Sequence, residues 1–361
     1  MKKIVTVLGA RPQFVKAAVL SRVILEHSKI NEIIVNTGQH FDKNMSAIFF
    51  NEMQIPKPKY NLAINGLSHG AMTGQMLEKV EEILLEEKPD AVVVFGDTNS
   101  TTAGALAAKK LDIKVIHIEA GLRSFNMKMP EEINRILTDR ISNLLSCPTD
   151  TAIKNLKKEG FDNLPILMEK HGDIMKDAVQ FYSKNSAEKS SIIKDLDLTK
   201  NEFVLATIHR QENTDFKDKI KAIFTSLDAI NKIKKVIFPL HPRTKNALEK
   251  LNITSEITFI EPVGYFDMLE LLKNSAMVIT DSGGLQKEAF FCKKNCIIVR
   301  EETEWLELVE HDFAKIVGTN EQKIKEAFKH YLGANMNFNV NLFGDNVGEK
   351  IHDSIYNLIK E

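Results

Sequence analysis

The chain has 361 residues, 43% hydrophobic and 27% charged, with 48 Lys and Arg against 49 Asp and Glu. That length exceeds one ordinary core and suits two domains. A net charge of −1 argues against nucleic-acid or membrane-surface partners, which select an excess of Lys and Arg.

No apolar run reaches the length of a membrane span. The start, MKKIVTVLGA, reads as a first strand rather than a signal peptide. Three cysteines, Cys147, Cys292 and Cys296, suit a reducing cytosol and leave a zinc set incomplete, so no metal and no cofactor are expected.

In chain order, KKIVTVLG predicts a strand, FVKAAVLSRVILEH a helix and NEIIVNTG a strand. GQMLEKVEEILLEE places Met76, Leu77, Val80, Ile83 and Leu84 on one helical face. AVVVFG, TTAGALAAKKL and KVIHI repeat strand, helix, strand. Nearly unbroken apolar strands separated by helices predict a parallel sheet covered on both faces. A polar stretch, residues 182–202, interrupts the pattern, which restarts with FVLATIH, KVIFPL, ITFI, AMVIT and NCIIV. The expected fold class is α/β, with two Rossmann-like doubly wound domains facing an interdomain cleft. The first comprises residues 1–171 plus a terminal helix at 343–361, the second residues 172–342. Loops at the carboxyl ends of such sheets are where ligands bind.

Those loops carry the chemistry. GARPQFVK, residues 9–16, follows the first strand and brings Arg11 and Lys16 to a helix start suited to an anion, or else forms a plain strand–helix turn. TDSGGLQKEA offers Ser282, Gly283 and Gly284 for close backbone approach to a phosphate, with Glu288 one turn further on. Two such turns facing one cleft fit a diphosphate. His209, Arg210, His241 and Arg243 at two strand ends form a cationic wall. Asp97, Glu119, Glu131 and Glu132 gather carboxylates at strand ends and a helix start, as proton transfer requires. The alternatives are structural: Asp97 as a helix cap and Glu131 as a first-turn acid favoured by the helix dipole.

Together GARPQFVK, NTGQHFDKNM, FGDTNST, HIEAGLRS, MPEEINR, TIHRQEN, TDSGGLQKEA and REETEW, in this order, resemble the nonhydrolysing UDP-N-acetylglucosamine 2-epimerases over nearly the whole chain. The resemblance implies a GT-B-like fold with a UDP-sugar between the halves, and inversion at C2 by elimination of UDP to a 2-acetamidoglucal followed by re-addition. It implies Asp97, Glu119 and Glu131 as proton-transfer residues, with Lys16 and His209 as essential polar groups. Arg11, Arg135, Arg210, His241, Ser282, Gly283, Gly284 and Glu288 would contact the UDP-sugar, and Tyr265 and Phe266 the uracil. Gln39, His40 and His69 are candidates for a second, activating UDP-sugar. A homodimer in the cytoplasm is implied as well.

GARPQF departs from the commoner form of the first motif, and Asp173 stands where many relatives carry Asn. With RSFNMKMPEE and ETEW, these features also suit relatives acting on UDP-linked diacetamido-glucuronate. A hydrolysing epimerase, a GT-B glycosyltransferase and a non-catalytic UDP-sugar sensor are the other readings.

Overall fold

The computed structural model describes residues 1–39 and 55–360, so His40 lies outside the described residues. The chain divides into two compact units, Met1–Ala178 with Asn341–Glu361, and Val179–Val340. The first division falls inside the helix Ile174–Ser183, seven residues later than expected, and the polar stretch 182–202 belongs to the second unit.

The first unit holds a seven-stranded parallel sheet in the order β3-β2-β1-β4-β5-β6-β7. Its strands are β1 (Lys2–Leu8), β2 (Ile30–Asn36), β3 (Tyr60–Asn61), β4 (Ala91–Phe95), β5 (Lys114–Ile118), β6 (Leu144–Cys147) and β7 (Leu167–Lys170). β4 is buried along its whole length, as expected of a strand covered on both faces. The helix Asn99–Lys110 packs so closely that a Cβ on Gly104 would lie 3.1 Å from Val7. The terminal helix Val347–Lys360 returns to this unit and lies on the helix Arg11–His27, where the His27 and His352 rings stack at 4.3 Å. Where the chain leaves and re-enters the unit, Gly172 and Gly344 pass with no room for side chains: a Cβ on Gly172 would lie 2.3 Å from the Phe343 carbonyl oxygen. Both adopt positive φ, 107° and 71°, open to glycine at little strain.

The second unit holds a six-stranded parallel sheet, β10-β9-β8-β11-β12-β13. It comprises β8 (Phe203–Thr207), β9 (Lys235–Pro239), β10 (Thr258–Ile260), β11 (Met277–Thr280), β12 (Cys296–Ile298) and β13 (Ala314–Ile316). Val204, Phe224, Phe238, Ile279 and Phe328 are among the residues of its core. In each sheet the chain builds outward one way from a central strand, then returns to build the other way. The switch points lie between β1 and β4, and between β8 and β11. An open α/β sheet splays its loops apart at that point and leaves a crevice beyond the strand ends.

Candidate active site

The crevice of the first sheet is lined by the loops after β1, β4 and β5. Arg11 opens the helix Arg11–His27, and Lys16 lies one turn further in, buried, with its ammonium on the Glu119 carboxylate. Glu119 follows β5 at φ 71°, a left-handed conformation that a non-glycine residue keeps only when its surroundings fix it. Asp97 follows β4 and pairs with Arg135, whose other nitrogen lies 2.7 Å from Glu132. Asn134 donates to the Asp97 carbonyl at 2.9 Å. The helix beginning at Asn99 is capped by Thr98, whose hydroxyl accepts from the Thr101 amide at 3.3 Å. Asp97 is therefore not the cap, and its carboxylate, 31% exposed, is left at the crevice.

The paired acids of PEE diverge. Glu132 is fully buried, accepts from the Ser124 and Phe125 amides at 3.0 and 2.9 Å, and is taken up in holding that loop. Glu131, half-buried in the first helical turn, has no such engagement among the described residues.

The expected anion turn at GARPQF is sealed from within. The Gln13 side-chain oxygen accepts from the Gly9 and Ala10 amides at 2.8 and 2.9 Å, and its amide donates to the Phe95 carbonyl at 2.7 Å. Gln13 thus ties the β1 loop to the β4 loop, and the Gly9 and Ala10 amides are already taken. Gln39 and His69 both reach the start of the helix Asn99–Lys110. Gln39 accepts from the Ser100 hydroxyl at 2.8 Å, and His69 lies 3.3 Å from the Asn99 amide.

In the second unit the hub is Asp281, directly after β11 and wholly buried. It accepts from the His209 amide at 3.0 Å, the Arg210 amide at 2.9 Å and the Asn213 side chain at 3.1 Å, joining the β8 and β11 loops across the switch point. Its carboxylate also lies 3.2 Å from His209 Nδ1. Burial holds His209 below the usual imidazole range, and Arg210 and Arg243 push the same way while Asp281 opposes. The His241 ring lies 5.4 Å from that of His209, and His241 caps its own helix by accepting the Arg243 amide at 3.2 Å.

Ser282, Gly283 and Gly284 begin the helix Gly283–Phe291, whose first amides have no acceptor within the helix. Around Gly284 there is open space, and a Cβ there would meet nothing within 4 Å. The turn is backed by REETEW: Arg300, buried, takes Glu304 at 3.0 and 3.1 Å, and Trp305 lies under Lys287 at 4.2 Å. Glu288 sits half-buried on the same helix. Tyr265 and Phe266 are core residues instead: both are buried, packed edge-on against Tyr182, and only the preceding Glu261 and Pro262 are exposed. Asp173, noted for its departure, is buried and accepts the Met175 amide at 2.9 Å, at the start of the helix that leaves the first unit.

A sequence model of UDP-N-acetylglucosamine 2-epimerase matches residues 22–356. The chain belongs to the UDP-N-acetylglucosamine 2-epimerase family. This epimerase is 49% identical to the UDP-2,3-diacetamido-2,3-dideoxy-D-glucuronate 2-epimerase of Pseudomonas aeruginosa over 95% of its length and 96% of the relative's. It is 43% identical to the UDP-N-acetylglucosamine 2-epimerase of Methanocaldococcus jannaschii, covering 97% of each. A crystal structure of the Methanocaldococcus jannaschii UDP-GlcNAc 2-epimerase in complex with UDP-GlcNAc and UDP matches with a TM-score of 0.91, at 41% identity and over the full length of both chains. A Rickettsia africae glycosyltransferase, at 14% identity and a TM-score of 0.54, shares the fold.

Sequence reasoning quoted Asp281 within its motif and passed over it, as it did Gln13, His117, Asp139 and Arg300. For Asp281 a signal existed: an acid closing an apolar strand just ahead of two glycines has unpaired loop amides to satisfy.

Proposed function

We propose that this epimerase inverts C2 of a UDP-linked 2-acetamido sugar. The single observation that carries this reading is the gathering of Lys16, Asp97 and Glu119 beyond the ends of the neighbouring strands β1, β4 and β5. C2 of such a sugar has no neighbouring carbonyl to stabilise a carbanion. Elimination avoids that difficulty: the C1–O bond breaks toward UDP as the C2 proton leaves, and re-addition returns a proton to the other face. Asp97, Glu119 and Glu131 serve as the proton-transfer groups, with Lys16 holding Glu119 in place. Arg11, Arg135, Arg210, His209 and His241 supply positive or hydrogen-bonding character for the diphosphate, and Gly283 and Gly284 present their amides to it beside Ser282, whose own amide donates to the Thr280 hydroxyl at 2.9 Å. Glu288 takes ribose hydroxyls, and the turn before Tyr265 and Phe266 lies by the uracil.

The sugar is either UDP-GlcNAc or the diacetamido-glucuronate, and the 49% identity to the Pseudomonas aeruginosa relative favours the latter. Incubation with each sugar in D2O, followed by NMR, decides: the true substrate gains deuterium at C2 and yields the inverted epimer. Absence of exchange with both removes the reading, and UDP released in step with free sugar replaces it with a hydrolysing one.

We also infer a homodimer. Ile133 and Leu137, 42% and 50% exposed and one turn apart on the helix Pro130–Ile141, give it an apolar face, and a monomer by light scattering would sink this. A second UDP-sugar would sit by Gln39 and His69, which calorimetry tests as binding beyond one equivalent per chain. The three unpaired cysteines support a cytoplasmic enzyme.

A further inference from the structure

Two of the acids assigned to proton transfer, Asp97 and Glu119, hang from one buried group. His117, in β5, is 0% exposed. Its Nε2 lies 2.7 Å from the Gly96 carbonyl oxygen and its Nδ1 lies 2.7 Å from Asp139 Oδ1. A carbonyl can only accept, and so can an ionised carboxylate. A neutral imidazole carries one N–H, so one of the two short contacts would set lone pair against lone pair. Two N–H groups satisfy both.

The proton belongs on the ring rather than on Asp139, because the other carboxylate oxygen already accepts from Arg123 at 2.7 Å and from the Gly121 amide at 3.1 Å. Burial pushes the Asp139 carboxyl up, but His117 and Arg123 outweigh it and hold it below its usual range. Arg123 is itself fixed by Glu159 at 2.7 Å.

Each arm of this group ends on a chain segment bearing an acid. Gly96, at φ 63°, immediately precedes Asp97. Glu119 lies between His117 and Gly121, and Gly121 is tethered to Asp139. A shift of the imidazole therefore moves the Asp97 loop and the Glu119 loop together.

We propose that His117 and Asp139 form a buried imidazolium–carboxylate pair that positions Asp97 and Glu119 for proton transfer. The role rests on the epimerase reading above. His117 and Asp139 are positioning residues, acting through the loops that they hold.

Two measurements test it. In protein labelled with 15N-histidine, the His117 ring should carry hydrogen on both nitrogens, since both short contacts need a donor. A ring with one bare nitrogen overturns the pair. Asp139→Asn should lower kcat by about tenfold or more while the UDP Kd stays within about twofold. It should also enlarge the kinetic isotope effect with C2-deuterated substrate, because misplaced acids make proton transfer the slower step. A purely structural role would lower Tm and leave that isotope effect unchanged, and a folded Asp139→Asn with wild-type kcat and isotope effect overturns the positioning role. Should this variant fail to fold, Asp139→Glu takes its place: it keeps the charge but displaces it, so the same rise in isotope effect is expected and its absence counts against the proposal. If the wild type exchanges no C2 hydrogen on either sugar, the epimerase reading falls, while the ring measurement still decides the pair.

Discussion

The glycine turns after β1 and after β11 flank equivalent switch points, yet one is closed and the other open. A Cβ on Gly9 would lie 2.1 Å from Ser100 Oγ and 2.3 Å from Thr37 Oγ1, and Gln13 has already taken its amide. A Cβ on Gly284 would meet nothing within 4 Å, and the helix that it helps begin presents unused amides. Glycine serves close packing in the first turn, and in the second it leaves open space that the proposed function fills with a phosphate. The closed turn locks the β1 and β4 loops into a frame for Lys16, Asp97 and Glu119. The open turn offers an anion site. In the proposed function, one topological position would thus support acid–base geometry in one unit and nucleotide binding in the other.

The largest effect should come from separating these jobs. Asp97→Asn is expected to lower the rate of C2 exchange by about 10²- to 10⁴-fold, while UDP binding by calorimetry stays near wild type. The amide keeps a hydrogen-bond acceptor for Arg135 and loses the proton-transfer capacity. Loss of UDP affinity in proportion to activity would mean that the two edges do not divide the work in this way.

The same comparison explains what was legible in the sequence. Alternation of apolar strands with helices gave both sheets, because a parallel strand buried on two faces must be apolar throughout, as AVVVF is. The positions of Asp97, Glu119, His209 and the Ser-Gly-Gly turn at strand ends were equally readable, since strand ends can be counted. Contacts closed by residues distant in sequence were not. Gln13 seals a turn by reaching β4, Asp281 gathers amides of the β8 loop, and Asp139 meets His117 from the far end of a helix. No periodicity announces a polar side chain that folds inward to satisfy someone else's backbone. Nor does the sequence show that the Tyr265 and Phe266 rings pack edge-on against Tyr182.

A glycine pair sharpens the contrast at intermediate size. Gly9→Ala should destabilise the protein by about 1–3 kcal/mol, seen as a lower Tm, since Ser100 and Thr37 must move. Gly284→Ala should leave Tm unchanged and weaken UDP by about tenfold, or about 1.4 kcal/mol, because a methyl group occupies the space that a phosphate would approach. If Gly284→Ala binds UDP normally, the open turn is not the anion site.

The smallest effect concerns pH, and its sign differs between the free and liganded protein. His209 and His171 both sit below the usual imidazole range, chiefly through burial. Each therefore contributes stability that is fully present above the unfolded value of about 6.5 and is lost as pH falls toward the depressed folded value, because the unfolded chain takes up protons that the folded one refuses. Tm of the free protein should decline as pH falls below about 6.5. A diphosphate beside His209 reverses the local balance by favouring the charged ring. Its binding should take up a proton and tighten as pH falls through the same window, by linkage. Calorimetry in buffers of differing ionisation enthalpy measures that uptake directly. His209→Asn should abolish it while leaving the His171 share of the Tm decline in place, and a variant that still takes up the proton would place the titrating group elsewhere than against the anion.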